Sequence, residues 1–247
     1  MIRGAPRHGH HVLRRLVRGA LMTLALVAPA GQVAALCVTQ AEYDTPTGRY
    51  GHRVLGAEGE YADLVLGRDD ESTLRISLPH TQVFEDIAPL VVDMDGDACA
   101  EVVTVVSSVD AGAKLAIYDA TGQTIAQTPP IGRRNRWLAV IGAADLDGDG
   151  AIEVAYIDRP HLAKTLRIWR YGDSGLTQVA AAQGLTNHQI GWDYIAGGLR
   201  DCGEGPEMIL ASADWSRLMA VRFDGQISAR DLGPYAADAA REAVDCL

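Results

Sequence analysis

The chain has 247 residues, with 22 Lys+Arg against 32 Asp+Glu, a formal charge of −10 and 48% hydrophobic residues. That length fits one large domain or two small ones, and it can bury a core without depending on disulfides. The apolar content excludes global disorder. The acidity argues against a nucleic-acid binder, which needs a basic surface to neutralise phosphates.

The first 35 residues hold no Asp or Glu and carry Arg3, Arg7, Arg14, Arg15 and Arg18. An apolar run from Gly19 to Ala30 follows, then the small residues Val33-Ala34-Ala35. This is the charged region, apolar region and cleavage pattern of a secretory signal peptide, with cleavage expected after Ala35. The run is too short to cross a bilayer as a helix, and no later segment is long and apolar enough to do so. Leu36 precedes Cys37, where a lipoprotein site wants a small residue. The expected organisation is a signal peptide over 1–35 and one domain over 36–247, periplasmic or secreted, without a transmembrane anchor. Loss of the leader leaves 17 basic residues against 32 acidic ones, a net charge of −15.

Four cysteines remain: Cys37, Cys99, Cys202 and Cys246. An oxidising compartment makes two disulfides the expectation. Three connectivities are open to four cysteines. Cys202–Cys246 is favoured because it would pin a C-terminal tail that otherwise frays. The sequence has no CxxC, so a thioredoxin-type site or zinc ribbon has no support.

The rest of the chain repeats a pattern: an apolar run, a loop of Asp and Gly, an acidic residue, a second apolar run and a further strand. One copy runs from Ala88 to Val106 and continues with Lys114–Tyr118; the next runs from Ala139 to Ile157 and continues with Thr165–Trp169. Glu101 and Glu153 set the register. A worn copy upstream has Asp63 in the acidic position, followed by Leu74–Leu78. A worn copy downstream has Glu207 there, followed by Leu218–Phe223. Short β-branched runs bounded by Gly/Asp turns read as strands. Thr121-Gly122, Asp224-Gly225 and the Gly172-Asp-Ser-Gly175 segment read as hairpin turns. Helical composition is confined to the tail around Ala236–Val244. A period of about 40–50 residues built of short strands predicts propeller blades, which stack because no blade can bury both faces alone.

Asp93, Asp95, Asp97 and Glu101 stand at positions 1, 3, 5 and 9 of the first loop. Asp145, Asp147, Asp149 and Glu153 do the same in the second. Four carboxylates in nine residues repel unless they share a cation, and hard oxygens at alternating positions suit Ca2+. The backbone carbonyls of Cys99 and Ala151 are expected to complete each shell. An EF-hand would need an acid at position 12, where Thr104 and Tyr156 stand within strands. These are therefore strand–loop–strand sites. The outer copies keep too few acids for a tight site.

The two Asp-x-Asp-Gly-Asp loops, each followed by an acid and a β run, resemble FG-GAP/VCBS repeats over roughly residues 50–228. That resemblance implies an all-β fold, an integrin-α-type β-propeller of about four visible blades, with calcium held by the eight side chains above. Arg133, Arg134, Arg136 and Trp137 form the dense basic run after the leader, suited to an anionic group. His161 and His188, with Trp192, are candidates to line a propeller mouth. No acid/base constellation of a known enzyme type is visible. The expected function is a non-catalytic, calcium-binding module that recognises a protein or glycan of the cell envelope. The competing expectation is an exported polysaccharide lyase or hydrolase built on the same scaffold.

Overall fold

The computed structural model describes residues 1, 4, 36–56 and 59–247. The expected signal peptide, apart from Met1 and Gly4, lies outside the described residues. Ala35–Leu247 form one compact unit.

Among the described residues every regular element before the tail is a β-strand, and all pairings are antiparallel. Strands β1 (Val38–Pro46), β2 (Tyr61–Arg68) and β3 (Thr73–Ser77) form a first group with β2 in the middle. The short β4 (Gln82–Phe84) follows. A four-stranded meander then occurs three times. The first is β5 (Leu90–Val92), β6 (Glu101–Ser108), β7 (Gly112–Tyr118) and β8 (Thr124–Gln127). The second is β9 (Leu138–Ala144), β10 (Glu153–Asp158), β11 (Thr165–Gly172) and β12 (Gly175–Gln183). After β13 (Leu185–Thr186) comes the third: β14 (Gly198–Asp201), β15 (Pro206–Ser212), β16 (Arg217–Phe223) and β17 (Ile227–Pro234). Helix α1 (Ala237–Val244) occupies the tail that the composition marked as helical.

The repeat register survives in space. Glu101 and Glu153 head β6 and β10, and Asp63 and Glu207 lie near the start of β2 and β15. The four units are not four sheets, however. Phe84 of β4 pairs with Tyr61 of β2, while Gln82–Phe84 also pair with Val106–Ser108 of β6. One strand thus joins the first two groups into an eight-stranded sheet, beside a four-stranded and a five-stranded one.

Stacking of these sheets explains the apolar runs. All six residues of β10 are buried. Its side chains alternate between faces. Val154 and Tyr156 pack with Val103, Leu115 and Ile117 of the preceding sheet. Ala155 and Ile157 pack with Met208, Leu210 and Phe223 of the following one. Burying each large aliphatic side chain stabilises by about 1.5–3 kcal/mol, and a one-residue slip would exchange the two faces. The first strands of the three meanders, β5, β9 and β14, are neighbours in that order.

Among the described residues no further sheet packs on the Ile209, Leu218 and Ala220 face of the last sheet. Helix α1 lies there instead, with Ala240 and Ala243 on Ile209, Leu218 and Ala220. Ala236 at its N-cap makes no side-chain cap bond, so an isolated helix of this length would not persist. Tertiary contacts hold it: Arg200 donates to the Ala243 carbonyl, and Cys246 bonds Cys202, the pairing the sequence favoured. The second disulfide, Cys37–Cys99, ties the start of β1 to the first carboxylate loop. The bridged residues lie 44 and 62 positions apart. On the chain-entropy account each closure stabilises by about 4 kcal/mol.

Candidate metal centres and ligand pocket

The two carboxylate loops follow β5 and β9 and share one construction. Position 2 is apolar and buried: Met94 in the first loop, Leu146 in the second. Its N–H donates to the position-9 glutamate at 2.9 Å, Met94 to Glu101 and Leu146 to Glu153. The first aspartate then gathers the turn. Asp93 accepts from Gly96 and Ala98 at 2.7 and 3.0 Å, and Asp145 from Gly148, Asp149 and Gly150 at 2.8–3.0 Å. Cys99 and Ala151 donate their N–H groups to Asp97 and Asp149. The turn needs left-handed backbone at position 6. Gly150 supplies it freely, whereas Ala98 adopts it at φ 69°, against a steric penalty of about 1 kcal/mol.

Carboxylate oxygens of Asp93, Asp95 and Glu101 all lie within 4.8 Å of one another, as do those of Asp145, Asp147 and Glu153. Oxygens on opposite sides of one Ca2+ are about 4.6–5.2 Å apart, at 2.3–2.6 Å from the ion. The donor set therefore fits a single hard cation. In the second loop Asp147 Oδ1 is buried without a hydrogen-bond partner, an acceptor that a cation would satisfy. Burial raises the Glu101 carboxyl above its usual range, and Asp95, Asp97 and Asp93 raise it further. Asp97 and Asp149 lie outside these triads and serve their own loop backbone.

Cross-strand register distinguishes the loops. Arg170 stands opposite Glu153. Its guanidinium bonds Glu153 and Asp147 and reaches Asp149 at 2.9 Å. In the first loop the ladder between β6 and β7 ends at Val102↔Tyr118, and the next residue on that side is Asp119. Around the fourth-copy acid, Glu207, guanidinium groups take over entirely, from Arg200, Arg222 and Arg230. Burial pushes Glu207 up, but these three arginines overcome it and hold the carboxyl at about 2. Among the described residues Asp201 there accepts only from the Gly203 and Gly205 amides. In the first copy Asp63 accepts from Thr45 and Arg75. The sequence located the loops but gave no weight to Arg170, whose position one residue beyond the Thr165–Trp169 run was the available signal. Asp95 and Gly150-Ala151 border one cavity of about 340 Å³, which puts both loops at one end of the fold.

The second group of candidates gathers elsewhere. His161 Nε2 lies 2.8 Å from His188 Nδ1. The buried Trp137 packs edge-on to His188, with ring centres 5.1 Å apart, and Trp192 lies edge-on to the same imidazole. Arg136, Trp137 and His161 line a cavity of about 180 Å³. Arg133 and Arg134 do not line it; Arg134 turns to the Tyr50 carbonyl and ring. Sequence reasoning missed His52, which also lines the cavity, because it lies in the most worn repeat copy.

Residues 93–156 match the family model of the FG-GAP-like repeat. The match starts at Asp93 and ends within β10, so it holds both carboxylate loops, and the chain carries an FG-GAP-type repeat. A comparison with curated proteins finds no match. Among solved structures the chain is similar to the exotype rhamnogalacturonan lyase YesX, at 15% identity and a TM-score of 0.44. The alignment covers 80% of this chain and 48% of that one, so this chain spans about half its length.

Proposed function

We propose that this protein is an exported, calcium-binding β-propeller-type module, periplasmic or secreted, which recognises a protein or glycan of the cell envelope without transforming it. The observation that carries the metal reading is the pair of loops whose three carboxylates converge to within 4.8 Å. The eight acids Asp93, Asp95, Asp97, Glu101, Asp145, Asp147, Asp149 and Glu153, with the Cys99 and Ala151 carbonyls, are the proposed ligands. The propeller reading draws on three antiparallel meanders with their first strands side by side and their faces stacked, as blades pack around an axis. Recognition is assigned to the basic run and the histidine pair, centred on Arg136, Trp137 and His161 at the cavity, with His188 setting His161, and with Arg133 and Arg134 outside that cavity. The calcium serves structure: it binds the folded loops and stabilises them by mass action. Chelation with EDTA is expected to lower Tm by roughly 5–15 °C, reversed by added Ca2+. An unchanged Tm, with no calcium in the purified protein, would falsify the metal reading.

A further inference from the structure

The cavity of about 180 Å³ between His52, Asn135–Trp137, Arg159–Leu162 and Ile190 is built with more care than a surface dent requires. His52 is fixed twice. Buried Glu60 accepts the backbone N–H groups of Gly51, His52 and Arg53 at 2.6–2.9 Å, which sets the main chain. Glu85, fully buried, bonds His52 Nδ1 at 2.6 Å, which sets the ring. Glu85 is itself held by the Ser107 hydroxyl, and its carbonyl accepts from Trp137 Nε1 at 2.7 Å. Nδ1 is thereby committed, and Nε2 is the ring nitrogen left to engage a ligand.

His161, a second lining residue, is set through His188, which does not itself line the cavity. His188 Nε2 lies 3.1 Å from the Trp192 carbonyl, so this nitrogen carries the proton and Nδ1 is an acceptor. His161 Nε2–H then donates to that acceptor, and His161 keeps Nδ1 as a free lone pair.

Charge and exposure indicate what the cavity takes. Arg159 is held by Asp158 through two bonds of 2.7 and 3.0 Å, on a carboxylate that Arg167 shares. Arg136 makes no ion pair among the described residues; its Nη1 donates only to the Asn135 carbonyl. Leu162 and Ile190 on the cavity are 62% and 82% exposed, the most exposed large apolar side chains away from the chain termini among the described residues. A free guanidinium beside two bare apolar side chains suits an oxyanion next to an apolar face, while the lone pairs of His52 Nε2 and His161 Nδ1 suit hydroxyl donors on the same ligand.

We infer that this cavity binds a small acidic ligand that also carries a hydroxyl, with Arg136 as the charge partner of its oxyanion, His52 Nε2 as the oriented acceptor for the hydroxyl and Leu162 and Ile190 against the ligand's apolar face. The volume lies below the roughly 300–1,000 Å³ of drug-sized sites, so a single acidic ring or end group is accommodated. The inference rests on the recognition role proposed above, and not on the calcium loops.

The test is an NMR titration of the calcium-loaded protein, following the His52, His161 and Arg136 side-chain signals. The probes are D-glucuronate, inorganic phosphate and D-glucose. The expected result is saturable movement of these signals with glucuronate, none with glucose, and about tenfold or greater weakening in Arg136→Ala. Arg136→Lys, which keeps the charge but loses the fork, should fall between the two. Movement with phosphate in place of glucuronate supports the oxyanion site and makes its source a phosphate group. Equal response to glucose and glucuronate, no response to either anion, or unaltered binding in a folded Arg136→Ala overturns the inference. Because the calcium loops are read by Tm with and without EDTA, failure of the cavity leaves that separate result standing, and the reverse holds as well.

Discussion

Arg170 is where the two loops part company. A guanidinium bonded to Asp147, Asp149 and Glu153 relieves the same repulsion that a divalent ion would, so it would compete with the proposed calcium in the second loop. Arg170→Met should therefore destabilise the calcium-free protein by about 1–3 kcal/mol. The same change should tighten calcium binding at that loop by about tenfold. Denaturation with and without calcium, together with calorimetric titration, reads both effects. His161 gives a pH signature at the same scale. Burial, reinforced by His188 and His52, lowers its pKa from 6.5 to about 4. Between those values the unfolded chain binds more protons than the folded one, so this group's contribution is complete above pH 6.5 and is lost as pH falls toward 4. Stability measured across that window should decline less steeply in His161→Gln than in the parent chain.

At the scale of elements, α1 does the work of a missing neighbour sheet. It covers Ile209, Leu218 and Ala220 with only two buried alanines of its own, so its attachment depends heavily on Cys246–Cys202 and on Arg200. Cys246→Ser should lower stability by about 4 kcal/mol on the chain-entropy account. It should also release the helix, seen as faster amide exchange at Ile209 and Leu218 than at Ile157. The strands, the hairpin turns and this helix were legible in the sequence because each depends on local signals: β-branched runs, Gly turns, an Ala-rich tail. The joining of the first two groups through β4 was not, because three residues, Gln82–Phe84, carry too little pattern to reveal two partners. The carboxylate loops were legible for the opposite reason, as eight acids at fixed spacing. Arg170 and the His52–Glu85 pair were hidden because their partners are distant in sequence, on another strand for Arg170 and between loop residues for His52 and Glu85, 17 and 33 residues away.

Across the whole molecule the acidic balance acquires a structure. In the third meander arginines surround the acid, in the second a single arginine bonds the clustered carboxylates, and in the first the clustered acids have no arginine ion pair among the described residues. A chain that exchanges guanidinium for metal along successive repeats can keep the same strand–loop–strand geometry while varying what neutralises it. Two Ca2+ would bring the expected net charge of the exported chain from −15 to −11. The measurement that bears most directly on this account is calorimetric titration of Ca2+ into chelator-stripped protein, alongside Glu101→Gln and Glu153→Gln. The account predicts two binding events in the parent chain, with each substitution abolishing a different one and the Glu101 site being the tighter. Absence of saturable calcium binding, or two unchanged events in both variants, would contradict it.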